Sequence, residues 1–296
     1  MEAKLVQTIQ PCSWMNSQRM IIKSNGFIRV PQRTKEIQGF NLCFSLQTNN
    51  RTSAHPQLAV KVSSLSKNSQ GPVVESGAVP AGLDESLVLK NKSLQIGPYL
   101  NGRCIYLVGM MGSGKTTIGK LLAEVLGYSF FDSDTLVETL EGMSVAEIFN
   151  QHGEGYFREK ETKVLEEVST KHHLVISTGG GAVIRPINWR HMQSGVSVWL
   201  DVPIDCLARR ISAVGTGTRP LLHGEGGDAY TKAYTRLSEL FEKRHEAYAN
   251  ANARVFLENI AGKLGKVDVD NLSPSVITIE VLEQIESFLR KNNPAI

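Results

Sequence analysis

A chain of 296 residues, 41% hydrophobic and 21% charged, carries enough apolar material for a globular protein of one or two domains. No apolar run approaches the roughly 20 residues of a membrane-spanning helix. The four cysteines, Cys12, Cys43, Cys104 and Cys206, form no C-x-x-C pair, which speaks against a disulfide framework or a zinc site. The net charge of +3 divides unevenly, with nine Lys/Arg against three acids in residues 1–75 and 23 against 26 in the rest. The remainder is therefore slightly acidic and ill suited to a nucleic-acid surface.

Residues 1–75 hold nine serines, many Gln and Asn, and no persistent helical or strand period. A basic, hydroxylated, acid-poor segment of this kind matches an organelle transit peptide. Without a continuous apolar core after its first basic residue it is not a secretory signal. A disordered tail without an address is the alternative. Residues 76–100, with Asp84, Glu85 and several Leu, read as a linker with a short helix, and 101–296 as the folded domain.

From Cys104 strands and helices alternate, the pattern of a parallel sheet covered on both faces. Cys104–Val108 is a continuous apolar run leading into Gly109-Met110-Met111-Gly112-Ser113-Gly114-Lys115-Thr116-Thr117, which fits the phosphate-loop pattern G-x-x-x-x-G-K-[ST]. Glycines let successive N–H groups point into one concavity, and the helix behind adds its unpaired N–H groups and partial positive charge. Lys115 can reach the outer phosphates of a nucleoside triphosphate, and the Thr116 hydroxyl can ligand Mg2+. The helix from Lys115, with Ile118, Leu121, Leu122 and Val125 on one face, stops at Gly127.

Tyr128–Phe131 is the second strand, with Asp132 and Asp134 at its carboxyl end, where ligands bind in such sheets. Ser144 and Glu147 form a capping box for a short helix ended by Gly153. A longer helix from about Glu154 has Phe157, Val164, Leu165 and Val168 as its stripe, and Arg158 falls beside that stripe. Leu174–Ser177 is a third strand running into Thr178-Gly179-Gly180-Gly181, where consecutive glycines let something approach the backbone closely. Val196–Leu200 is the fourth strand, and Pro203 suits the first turn of a helix carrying Arg209 and Arg210. The glycine- and threonine-rich segment 213–228 around Arg219-Pro220 suits a closing lid. Thr235–Tyr248 reads as a helix with Arg244 near its end, Arg254–Glu258 as the fifth strand, and Pro274–Lys291 as a closing helix with Ile277, Val281, Ile285 and Phe288 as its stripe.

Taken together, Val108–Thr116, Asp132-Ser-Asp134, Phe157-Arg-Glu-Lys-Glu161, Ser177–Gly181, Thr218-Arg-Pro-Leu-Leu222 and Arg244-His-Glu-Ala-Tyr248 occur in the order seen in shikimate kinases. The resemblance covers about residues 100–292, and the N-terminal extension resembles that of the plant plastid members. It implies a P-loop three-layer α/β/α fold with a five-stranded parallel sheet in the order 2-3-1-4-5, substrate-binding helices over about 134–162 and a mobile lid. It also implies Mg-dependent transfer of the γ-phosphoryl group of ATP to the 3-hydroxyl of shikimate, in the chloroplast. The segment between Arg210 and Arg219 is a little longer than in bacterial relatives.

Roles implied by the resemblance follow the chemistry of each residue. The loop Gly109–Thr117 holds the ATP phosphates, and Thr116 and Asp132 hold Mg2+. Asp134 orients or deprotonates the attacking hydroxyl. Arg158 and Arg244 clamp the substrate carboxylate, which a guanidinium fork matches bidentately. The backbone of Gly179, Gly180 and Gly181 faces the substrate ring, Arg219 neutralises charge on the transferring group with Lys115, and Arg210 lies near the adenine. The expected partners are two small molecules, ATP and shikimate, with neither nucleic acid nor membrane, and the expected state is a monomer or weak homodimer. A gluconate or nucleotide kinase would share the phosphate loop and lid without needing two arginines for one carboxylate. A non-catalytic paralogue would lack Asp134 or one of the arginines.

Overall fold

The short apolar runs of the sequence meet in one parallel sheet: β1 (Ile105–Val108), β2 (Ser129–Asp132), β3 (Leu174–Ser177), β4 (Val196–Asp201) and β5 (Ala253–Phe256). Their order is β2-β3-β1-β4-β5 and every pairing is parallel, the arrangement the resemblance implies. The three inner strands are buried along their whole length, as expected where helices cover both faces. These features come from a computed structural model, which describes residues 81–214 and 228–292. The segment 1–75 read as a transit peptide, and most of the expected lid with Arg219, lie outside the described residues.

Sequence and structure part company at the start of the domain. The segment 76–100, read as a linker with a short helix, contains a 20-residue helix, α1 (Ala81–Leu100), which buries Leu89, Ile96 and Leu100. It packs against α2 (Lys115–Leu126) and the last helix, α10 (Pro274–Asn292). Each fully buried Leu or Ile contributes roughly 1.5–3 kcal/mol. All described residues fall in one compact unit, 72–296, and α1 belongs to it.

Three further helices are not read from apolar period: α3 (Ser133–Glu141), which falls in the 134–162 helical region the resemblance implies, α5 (Pro186–Met192) and α9 (Leu257–Lys263). Each is short, seven to nine residues, so its apolar period is hard to tell from an irregular loop. Between α3 and α5 lies α4 (Val145–Ser169), opened by the Ser144/Glu147 capping box and broken at Gly153. α6 (Ile204–Val214) begins one residue after Pro203, whose carbonyl accepts from Leu207 N. The helix read over 235–248 is two: α7 (Ala229–Glu242), capped by Asp228, and the single turn α8 (His245–Tyr248). Arg244 stands at the break with non-helical φ −125°, ψ −16°, which turns its side chain inwards. No helix among the described residues is long and apolar enough to cross a membrane.

Candidate active site

The phosphate loop follows β1 at its carboxyl end. Gly114 takes the left-handed conformation, φ 88°, just ahead of α2, where a side chain would strain the turn. Lys115 is buried, and its ammonium donates to the carbonyls of Gly109 and Met110, both at 2.8 Å, and lies 3.4 Å from Ser113 Oγ. The cation is thus held at the loop rim, where phosphate oxygens can take over from carbonyls. Arg210, from α6, donates to Gly112 O at 3.2 Å and to Asp270 Oδ1 at 2.8 Å, so it borders the same loop. Thr117 is exposed at the first turn of α2.

The register sets the acids beside this loop. Asp132 pairs with Ser177 at the ends of β2 and β3 and caps α3 by accepting from Asp134 N at 3.1 Å. Its other oxygen, Oδ2, accepts from Thr116 Oγ1 at 3.1 Å. Two hard oxygen donors side by side at the phosphate loop suit Mg2+, which takes few protein ligands and keeps several waters. Asp134, on the first turn of α3, points the other way, towards the glycine loop. That loop is anchored by Gly179 N donating to Ser133 Oγ at 2.9 Å and by Thr178 to Leu107 O.

A second acid waits there. Glu161, on α4, is wholly buried; its Oε2 accepts from Arg158 Nη1 at 2.8 Å, and Arg158 is also held by Glu154 at 3.0 Å. Asp134 Oδ1 and Glu161 Oε1 both occupy the place a β-carbon would take at Gly179, and the Arg158 guanidinium that at Gly181. A side chain at either glycine would displace them. Among the described residues, Asp134 Oδ1 and Glu161 Oε1 are buried without a hydrogen-bond partner. Burial, then the nearby charges of Glu161 and Asp132, push the Asp134 carboxyl up to about 7, against Lys115 and Arg158. Burial also pushes Glu161 up, against Arg158. Arg244 completes the ring: buried at the α7–α8 break, it donates to Gly180 O at 3.3 Å, and burial followed by neighbouring Arg158 lowers its pKa.

The structure thus brings Lys115, Thr116, Asp132, Asp134, Arg158, Gly179, Gly180, Gly181 and Arg244 together at the carboxyl edge of the sheet, with Arg210 on the phosphate loop. Glu161 went unassigned although its i,i+3 spacing from Arg158 on a helix was a usable signal. Arg185, donating to Arg158 O at 3.0 Å, has no such signal, its partner lying 27 residues away, and Tyr248, donating to Gly180 O 68 residues away, closes the Arg244–Tyr248 motif without a role read for it.

A phosphate loop on β1 of a 2-3-1-4-5 sheet, facing a buried acid and a pair of arginines, defines a P-loop phosphotransferase. The sequence profile of the shikimate kinase family matches residues 111–286. The chain belongs to the shikimate kinase family. It is 52% identical to the chloroplastic shikimate kinase of Solanum lycopersicum, over 98% of this chain and 97% of that one. To shikimate kinase 1, chloroplastic, of Arabidopsis thaliana it is 51% identical, over 98% and 96%. The solved structure of shikimate kinase from Acinetobacter baumannii in complex with shikimate superposes with a TM-score of 0.54 at 31% identity, over 68% of this chain and 98% of that one.

Proposed function

We propose that this enzyme transfers the γ-phosphoryl group of ATP to the 3-hydroxyl of shikimate in the chloroplast, giving shikimate 3-phosphate, with the residues gathered at the carboxyl edge of the sheet in distinct roles. The N–H groups of Gly112–Thr117 and the ammonium of Lys115 hold the phosphates, and Arg210 borders the adenine. Thr116 and Asp132 hold Mg2+, which when bound offsets charge on the phosphate oxygens. Asp134 accepts the proton of the attacking hydroxyl. Arg158, kept in place by Glu161, and Arg244 take the substrate carboxylate from two sides, while the Gly179–Gly181 backbone walls the ring. Arg219 adds positive charge at the transferring group. Residues 1–75 serve as the transit peptide, 81–292 form the kinase domain, and the protein acts as a monomer or weak homodimer with small molecules as its partners.

One observation supports this most strongly. Two buried carboxylate oxygens without partners, Asp134 Oδ1 and Glu161 Oε1, sit with two buried arginines around a glycine wall. Buried polar groups left unpaired mark places where a ligand supplies the missing bonds. A polyhydroxylated carboxylate offers hydroxyls to the acids and a carboxylate to the arginines. The test is a coupled ADP-release assay with shikimate, quinate, gluconate and AMP, with and without Mg2+. Turnover should need Mg2+ and favour shikimate; comparable turnover of gluconate or AMP would overturn the substrate assignment.

A further inference from the structure

The three carbonyls of the glycine loop are held differently. Those of Gly179 and Gly181 accept from Ala182 N and Ile184 N, both at 3.1 Å, within the local turn. The Gly180 carbonyl instead takes two side chains from the far end of the chain, the Tyr248 hydroxyl at 2.6 Å and Arg244 Nη1 at 3.3 Å. Tyr248 is fully buried, with its ring stacked on Trp199 at 5.6 Å between centroids and 17° between planes. Arg254 covers Trp199 in turn, 4.5 Å from its ring centroid, and is tied to Asp201. The hydroxyl also lies 3.5 Å from the Met110 sulfur, so it stands between the glycine loop and the phosphate loop. Burial pushes the phenol up to about 12, which keeps it a donor at any working pH.

The Gly180 carbonyl and the Gly181 N–H belong to one rigid peptide plane, so fixing the first aims the second. Two glycines flank that plane, and nothing in their own side chains resists its rotation. Arg158 packs against Gly181 on one side, and Arg244 bonds Gly180 on the other. We propose that Tyr248 is a positioning residue for the substrate: its hydroxyl fixes the Gly180–Gly181 peptide and with it the spacing of the two arginines. The inference rests on the assignment of this wall and these arginines to shikimate.

Steady-state kinetics on the full chain test it with wild type, Tyr248→Phe and Arg244→Lys. Phenylalanine keeps the ring and its stack on Trp199, and removes only the hydroxyl. Tyr248→Phe should raise the shikimate KM about five- to tenfold, the worth of one buried hydrogen bond. The ATP KM should stay within about twofold of wild type. A merely structural role would lower the melting temperature and the active fraction, hence kcat, without moving a KM. An unchanged shikimate KM in Tyr248→Phe, beside a raised one in Arg244→Lys, overturns the role given to Tyr248. If neither variant moves that KM, the assignment of the wall and arginines to shikimate is itself wrong.

Discussion

Asp134 is half-buried as a residue, yet one of its oxygens is sealed from solvent beside Glu161, and that tension governs how it titrates. With its carboxyl pushed up to about 7, it holds below that pH the proton it must be free to accept. The wild-type kcat/KM for shikimate should therefore fall about tenfold per unit below pH 7. Stability runs the opposite way. The folded-state pKa lies above the ordinary 3.8, so the folded protein binds an extra proton between those values, and stability is lost as pH rises through 7. Asp134→Asn cannot ionise. It should lower kcat by at least about 10²-fold yet melt higher than wild type at pH 8, with the gap closing towards pH 4. Parallel melting curves across that range would show that burial does not restrain this carboxyl. At the other end of the substrate, replacing the carboxylate by an amide should cost wild type affinity, whereas Arg244→Lys, already without its bidentate fork, should lose much less. Equal losses would remove Arg244 from the clamp. Lys115→Ala should abolish turnover while leaving the circular dichroism spectrum unchanged.

At the level of elements, the site depends on an interruption of α4, and the stability of the domain on the added helix α1. α4 bends at Gly153, whose φ of 81° and ψ of 170° belong to a region almost closed to other residues. Beyond the bend the helix axis carries Arg158 and Glu161 to the glycine loop. Nothing lies within 4 Å of where a β-carbon would stand at Gly153, so Gly153→Ala tests the backbone alone. It should cost about 1–3 kcal/mol in denaturant unfolding and raise the shikimate KM as Arg158 shifts; a loss of stability with an unchanged KM would mean that the bend does not aim Arg158. The addition is α1, docked on α10 and α2. Ile96, 1% exposed, is among its best-buried side chains, so Ile96→Ala should destabilise by about 2–5 kcal/mol with kcat nearly unchanged. A loss below about 1 kcal/mol would mark α1 as peripheral.

For the whole molecule, the two N-terminal parts, 1–75 and 76–100, differ in what their removal should do. Deleting residues 2–75 should leave activity and melting temperature close to wild type, since that stretch has no periodic apolar face to bury. Deleting 2–100 should lower the melting temperature by many degrees, because it strips Leu89, Ile96 and Leu100 from α10 and α2. The two truncations, melted side by side, check both statements; equal melting points would refute the structural part given to α1. Fused to a fluorescent protein, residues 1–75 should direct it to chloroplasts, and a cytosolic reporter would defeat the localisation.

Read without a structure, the chain already yields the phosphate loop, the strand order through its resemblance, and the acids and arginines of the site. The phosphate loop, the strands and the helix cap are local signals: a loop pattern within nine residues, apolar runs of four to six and a capping box at i,i+3. The strand order and the site roles come instead from the resemblance carried by six motifs in order. Local signals survive because backbone geometry and helix or strand period depend on near neighbours. What the sequence left open depends on partners far along the chain. α1 reads as a linker until α10, some 180 residues later, offers the surface that buries it. The break before α8 is invisible in composition, since it is the pull of Arg244 towards Gly180, 64 residues away, that accompanies it. Tyr248 is one more aromatic on a helix until its hydroxyl finds the same carbonyl. Only tertiary packing brings Asp134 and Glu161 together, and the shift of Asp134 towards 7 is a consequence of the burial and charge they then share.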